Sequence, residues 1–167
     1  MAEAQPQQRT ALSQTTLLSA TTGKLDVYVL PLWQKKLLIP ALAIAEIISA
    51  SQLKPTKKNK TAGLLGQVTW EGETLPVISF ETFNGETGIP EPQKLAIVVA
   101  ATLGENLTHY ALALQAEPTL NKIKIAELED LDNAAVGGVE YLQVKYQNNL
   151  CFIPELDILE TKLKSVL

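Results

Sequence analysis

The sequence is poor in the side chains that most enzymes and metal sites use. It contains one cysteine, Cys151, and one histidine, His109, in 167 residues. One cysteine cannot form an intramolecular disulfide, and this pair cannot supply a zinc site made of histidine and cysteine ligands. We interpret His109 as a surface residue of an alternating strand and Cys151, between two apolar residues, as part of the core. We therefore expect no catalytic residues, no metal and no cofactor.

Long apolar runs and an excess of positive charge are also missing. The longest nearly apolar run, 95–103, is about half as long as a membrane helix. Residues 1–22 contain a single arginine and no lysine, unlike the start of a secretory signal. The formal net charge of −4 disfavours general binding to nucleic acid. These absences predict a cytoplasmic protein without membrane insertion.

The remaining composition predicts a polar tail and one mainly β domain. Residues 1–22 are rich in Gln, Thr, Ser and Ala, so we expect a disordered tail, with a single domain over 23–167. Short alternating segments between turn residues are typical of small β-barrels. The predicted strands span 25–30, 37–39, 64–70, 74–80, 94–102, 109–116, 120–125, 140–146 and 150–153.

Two segments that begin with a proline are predicted to be helical. Pro40 suits the first turn of a short helix over 41–49, although the isoleucines there leave a strand as the alternative. Pro154 opens a second helix, in which one face carries Leu156, Leu159, Leu163 and Val166.

The two proline segments also repeat one another. Leu38–Glu46 and Phe152–Glu160 share the pattern apolar-Ile-Pro-x-Leu-x-Ile-x-Glu, which suggests two similar β units. Residues 84–93 contain two glycines and two prolines and are predicted to separate these units. Eight apolar residues of the strands are expected to be buried: Leu38, Val77, Ile78, Ile97, Val99, Leu112, Val144 and Phe152.

An acidic β protein without a nucleophile, a ligand set or a phosphate-binding loop is best interpreted as a binding module. Two alternatives stay open at this point. A small-barrel nucleic-acid-binding protein would use Lys54–Lys60, which we interpret as a solvated loop because no aromatic residue interleaves its lysines. An enzyme would have to be built around His109.

The hairpin 63–80 resembles the signature of CheW-like domains. In both, a glycine, an apolar strand, a glycine-containing turn and an apolar-Pro-Val-Ile strand follow one another, the last being Leu75–Ile78 here. Ile44-Ala45-Glu46-Ile47 is similar to the family's Val-x-Glu-Val/Ile stretch. The resemblance covers roughly residues 25–165.

This resemblance implies a mainly β fold of two intertwined five-stranded, SH3-like β-barrels, with short helices and a C-terminal helix. Barrel 1 would span approximately 33–90 and barrel 2 approximately 91–153, with exchange of terminal segments. It also implies a non-catalytic cytoplasmic adaptor in chemotaxis signal transduction. The implied partners are the regulatory domain of a CheA-type histidine kinase and the tip of a methyl-accepting chemoreceptor.

Matched positions supply six candidate partner-binding residues: Ile44, Glu46, Ile47, Trp70, Glu71 and Gly72. The strand-proline segments are most similar to ChpC and PilI-type members, which implies a role in type IV pilus twitching motility. Two positions depart from the family pattern. Glu71 stands where the family has a turn arginine, and Gln115–Pro118 replaces Val-Asp-x-Val.

Overall fold

A computed structural model describes residues 24–57, 60–131 and 137–167. The predicted tail, 1–22, lies outside these residues. The described strands are β1 (Leu25–Pro31), β2 (Lys36–Pro40), β3 (Ile44–Ser49), β4 (Lys54–Pro55), β5 (Leu64–Trp70), β6 (Glu73–Ile78), β7 (Lys94–Val99), β8 (His109–Leu114), β9 (Thr119–Ile123), β10 (Leu128–Asp130), β11 (Glu140–Tyr146) and β12 (Asn149–Pro154). The α-helices are α1 (Phe80–Phe83) and α2 (Leu156–Val166). Short 3₁₀ turns span Ala41–Ala43, Ala50–Gln52, Lys60–Ala62 and Ile125–Glu127.

The strands form two sheets. Sheet 1 has the order β10-β11-β12-β2-β1-β9, and sheet 2 has the order β3-β7-β8-β6-β5-β4. β2 pairs with β12 and β6 with β8 in parallel, whereas the other neighbours are antiparallel. The predicted mainly β fold with a C-terminal helix is confirmed. Each sheet has six strands instead of five, and each includes one very short strand, the two-residue β4 or the three-residue β10.

Both sheets curl strongly. In sheet 2, Trp70 on β5 donates a hydrogen bond from Nε1 to Oε1 of Glu46 on β3, at 2.9 Å. In sheet 1, Asn121 on β9 donates from Nδ2 to the hydroxyl of Tyr146 on β11, at 3.3 Å. In each case the two strands lie several places apart in the sheet order. A flat sheet would separate such strands by about 4.8 Å per step, so each sheet must fold back on itself.

Apolar side chains form three clusters. One lies within sheet 1 and includes Val27 and Val144, and another lies within sheet 2 and includes Val68 and Leu95. The largest, which we call the central cluster, combines residues of both sheets with α1 and α2. Leu156, Leu159 and Leu163 of α2 are buried in it, and Val166 packs against it, so the predicted apolar face of this helix is confirmed.

The division of the chain between the two sheets differs from the predicted barrel bounds. Sheet 1 takes β1 and β2 together with β9 to β12, and sheet 2 takes β3 to β8. Neither 33–90 nor 91–153 therefore corresponds to one sheet. The glycine- and proline-rich residues 84–93 connect two elements of the same sheet, and Gln93 donates its N–H to the carbonyl of Leu114. Their composition marks irregular backbone and not a boundary between packed units.

The predicted helix over 41–49 is wrong, and its strand alternative is correct. A 3₁₀ turn at Ala41–Ala43 leads directly into β3. β3 has a β-bulge between Ile44 and Glu46, where its pairing with β7 shifts register. Because a bulge adds one residue to one strand, apolar residues at 44, 47 and 48 acquire the spacing of a helix face.

The repeated proline segments lie side by side in sheet 1. β2 and β12 pair in parallel, with Phe152 opposite Leu37, so the strand parts of both copies belong to one sheet. Beyond the prolines the copies diverge, because the first continues into β3 of sheet 2 and the second into α2. Of the eight predicted core residues, seven are buried. Val99 is wrong, because it is the last residue of β7 and 41% of it is exposed.

Candidate functional site

Three polar and aromatic side chains meet at one end of sheet 2. The indole of Trp70 lies against the imidazole of His109, with ring centroids 4.8 Å apart and planes inclined at 51°. The indole N–H is held by Glu46, as described above. Thr108 Oγ1 lies 2.9 Å from Nδ1 of His109 and fixes the other side of the imidazole. These contacts join residues from β3, β5 and β8 into one group.

The bulge in β3 decides which side chains of this strand face the group. Ile44 is 9% exposed and belongs to the central cluster, against which Ile47 also packs. Ile48 lies in the cluster of sheet 2. Alternation along the strand places Glu46 on the same face as Ile48 and opposite Ile47. Glu46 is exposed, and its carboxylate reaches the rim of the sheet at Trp70.

The turn after Trp70 is a tight two-residue turn. β5 ends at Trp70 and β6 begins at Glu73, so the loop consists of Glu71 and Gly72. Both have positive φ angles, 49° and 77°, which are the values of a type I′ hairpin turn. Both are exposed, and no atom lies within 4 Å of the position that a Cβ of Gly72 would occupy. The turn therefore projects freely from the end of the sheet.

The structure brings together four of the six predicted partner-binding residues. Glu46 and Trp70 are in direct contact, and the turn adds Glu71 and Gly72. Ile44 and Ile47 face away from this group and support β3 from behind. The partner-binding role of all six stays a prediction.

Two residues of this surface were missed by the sequence analysis. His109 was interpreted as a surface histidine, and its ring packs against that of Trp70. Val99 was expected in the core, and it lies directly opposite His109 in the β7–β8 pairing. The signal that could have revealed both is the register of this hairpin, because opposed residues share a face. We call Glu46, Trp70, Glu71, Gly72, Val99 and His109 the tip surface.

A buried ionic cluster lies away from the tip surface. Nζ of Lys35 lies 2.6 Å from Glu140 and 2.7 Å from Glu86, and Asn84 donates to both carboxylates. Burial alone would lower the pKa of Lys35, but the hydrogen bonds and charges of the two glutamates outweigh it and raise this pKa above 10.5. The ammonium also lies 4.7 Å from the ring centroid of Phe152. These contacts fasten the β1–β2 turn to the 84–93 segment and β11.

Two more buried carboxylates accept hydrogen bonds from backbone N–H groups. Glu81 accepts the N–H of Trp33 at 2.8 Å, and burial raises the pKa of the Glu81 carboxyl. Glu160 on α2 accepts the N–H groups of Ala101 and Thr102 and the hydroxyl of Thr102. Their partners are structural groups of this chain, which indicates that both carboxylates position backbone segments.

No described residues form a candidate metal centre: a group of three or more His, Cys, Asp or Glu side chains arranged for a metal ion is absent from the described ranges. Cys151 is 1% exposed, as predicted, and burial raises the pKa of its thiol, which disfavours the reactive thiolate. Within the same ranges no helix has the length and apolar character needed to cross a membrane.

A cleft of about 320 Å³ lies beside the 84–93 segment, lined among others by Leu53, Leu65, Ile89 and Ala113. None of the predicted partner-binding residues lines it. Of the predicted basic loop, Lys54, Lys57 and Lys60 are exposed, but Lys54 and Pro55 form the short strand β4, and residues 58 and 59 lie outside the described residues.

At this end of sheet 2 a partly exposed aromatic group therefore lies beside a projecting turn. A model of the CheW-like domain matches residues 27–159, most of the chain, and the chain therefore belongs to this family. No curated protein matches the sequence. The crystal structure of the scaffolding protein TtCheW from Thermoanaerobacter tengcongensis is similar to it, with a TM-score of 0.64 and 13% identity, over 80% of this chain and 85% of that chain. The family and the fold are thus confirmed.

Proposed function

We propose that this protein is a non-catalytic cytoplasmic adaptor that couples a methyl-accepting chemoreceptor tip to the regulatory domain of a CheA-type histidine kinase. The observation that carries this proposal is the family match over residues 27–159. The similarity to the scaffolding protein TtCheW supports it through the fold. An adaptor needs at least two surfaces, and the two curled sheets offer separate ends for two partners.

We assign the receptor contact to the tip surface. Trp70 is partly exposed, and tryptophan is among the residues that most often dominate binding energy at interfaces. Glu71 and Gly72 project beside it. Ile44 and Ile47 act through packing, because they hold β3 against the central cluster and so fix Glu46.

We place the adaptor in a system that controls type IV pili and twitching motility. The support is the similarity of Tyr28–Leu32, Leu37–Pro40 and Thr69–Gly72 to ChpC and PilI-type sequences. The nucleic-acid-binding alternative has no such support, since the family match does not favour it.

Titration calorimetry tests the proposed function with the protein and two purified partners from the same organism: the regulatory domain of its CheA-type kinase and a receptor-tip fragment. We expect the protein to bind both partners with micromolar affinity. Trp70→Ala should lose binding to the receptor fragment and keep binding to the kinase domain. Trp33→Ala is the matched control, because Trp33 is 39% exposed but lies outside the tip surface. The proposal would be contradicted if the protein bound neither partner.

A further inference from the structure

The tip surface combines an apolar and aromatic area with uncompensated negative charge. We propose, building on the proposed function, that it binds a partner segment in which an arginine or lysine lies beside apolar side chains.

The apolar part of the surface comes from two strands and the end of a third. Val99 is 41% exposed at the end of β7, opposite His109 on β8. Trp70 is partly exposed and packs against the cluster of sheet 2. An apolar side chain of a partner can therefore rest on Val99 and on the exposed part of the indole.

The charged part is entirely negative. Glu71 and Glu73 flank Gly72 and are exposed, Glu73 lies opposite Trp70 in the β5–β6 pairing, and Glu46 accepts the indole N–H of Trp70. Among the described residues, no ion pair involves any of these three glutamates. A partner carboxylate would be repelled here, whereas a guanidinium would gain two parallel hydrogen bonds to a carboxylate together with its attraction.

The indole is held in place before any partner arrives. Glu46 accepts its N–H at 2.9 Å, and the tilted imidazole of His109 packs against it with ring centroids 4.8 Å apart. A side chain that is already fixed loses less conformational entropy on binding. Glu46 and His109 are thus positioning residues for Trp70, and Glu71 is the residue that selects the charge of the partner.

The test uses the fluorescence of Trp70 in a Trp33→Phe background. The sequence has two tryptophans, so Trp70 is then the one that remains. Two alanine- and leucine-containing peptides that differ only in carrying arginines or glutamates are titrated into the full chain. We expect the arginine peptide to bind at least about tenfold more tightly, the size of one close charge contact. In Glu71→Asn this preference should fall at least about threefold, because the turn is kept and the charge is lost.

Glu129→Arg is the matched control, since Glu129 is exposed on β10 of sheet 1 and its replacement reverses a charge far from the turn. It should keep the full preference. Equal affinity for both peptides, no binding of either at about 1 mM, or an unchanged preference in Glu71→Asn would each overturn the inference. No kinase or receptor takes part in this titration, so its failure is distinguishable from failure of the proposed function.

Discussion

Glu71 has a left-handed backbone conformation, with φ of 49°, at the first position of the turn between β5 and β6. Residues with a Cβ other than Asn and Asp pay a steric cost there, and type I′ turns favour Asn-Gly or Asp-Gly. Gln147, with φ of 51°, has the same problem in the turn between β11 and β12. The two hairpins therefore carry similar strain, but only the first lies on the tip surface.

Glu71→Asn should raise the free energy of unfolding by about 0.5–1 kcal/mol, because Asn tolerates the left-handed region. Urea unfolding followed by circular dichroism measures this change. Gln147→Asn is the control and should give a similar gain without any effect on binding at the tip surface. A loss of stability in Glu71→Asn would show that Glu71 makes a stabilising contact in the folded protein.

Glu81 should make stability fall as pH rises through the weakly acidic range. Burial raises its pKa in the folded protein above the ordinary 4.5, so between these two values the folded state binds more protons than the unfolded state. Stability contributed by the protonated form is then lost as pH rises. In Glu81→Gln the plot of melting temperature against pH, between pH 4.5 and neutrality, should have a less negative slope. The control Glu91→Gln, at an exposed position, should leave this slope unchanged. An identical slope in Glu81→Gln would contradict this reading.

At the scale of elements, the Lys35 cluster joins three separate parts of the chain. The side chain of Lys35 is 14% exposed and that of Glu140 is 2% exposed, so neither charge is well solvated. Removing one partner of such a pair leaves a buried charge without compensation. Asn84 and the N–H of Gly137 also donate to Glu140, but these neutral groups would not compensate its charge.

Lys35→Met should lower the free energy of unfolding by on the order of 3 kcal/mol at neutral pH. The pKa of Lys35 is raised in the folded state, so this contribution is complete below the ordinary value of 10.5 and is lost as pH rises through the folded pKa. Lys122→Met is the control, because Lys122 forms an exposed pair with Asp26 and should cost less than about 1 kcal/mol. Equal effects of the two variants would refute the structural role of the cluster.

Phe152→Ala should cost about 3–5 kcal/mol, since its ring lies in the central cluster and packs under the ammonium of Lys35. Val99→Ala tests the corrected assignment and should cost less than about 1 kcal/mol, because much of Val99 is in solvent. Thermal and urea unfolding give both values. A cost below about 1 kcal/mol for Phe152→Ala would remove it from the core.

Most elements could be predicted from the sequence because alternation is a local property. β5 and β11 have the predicted bounds, and Ser79 explains why the predicted strand 74–80 ends early: its hydroxyl caps α1 by accepting the N–H of Thr82. The bulge in β3 could not be predicted from the sequence, because one inserted residue gives the apolar residues of the strand the spacing of a helix face. The contact of Glu46 with Trp70 was equally hidden, because it depends on the curl of sheet 2.

At the scale of the whole molecule, the two sheets share the central cluster, and the chain passes from sheet 1 to sheet 2 and back. Neither sheet can unfold without exposing apolar residues of the other. Trp33 lies between β1 and β2 of sheet 1, and Trp70 ends β5 of sheet 2, so each tryptophan reports on one sheet.

The unfolding transitions of Trp33→Phe and Trp70→Phe should therefore coincide with the transition seen by circular dichroism in the same variant. Coincidence of local and global probes is the mark of a two-state transition. A fluorescence midpoint that differs from the circular dichroism midpoint in either variant would show that the sheets unfold separately.

The parallel pairing of β2 with β12 sets an order of events during synthesis. β2 ends at Pro40, and the strand that lies beside it ends at Pro154, more than a hundred residues later. At about 5–20 residues per second, the ribosome needs roughly 6–23 s to deliver this partner. Throughout that interval one edge of β2, with Leu37 to Ile39, has no neighbour within the nascent chain. Sheet 1 is thus completed only after β12 has been synthesised, and until then the unpaired edge of its first hairpin is exposed to chaperones.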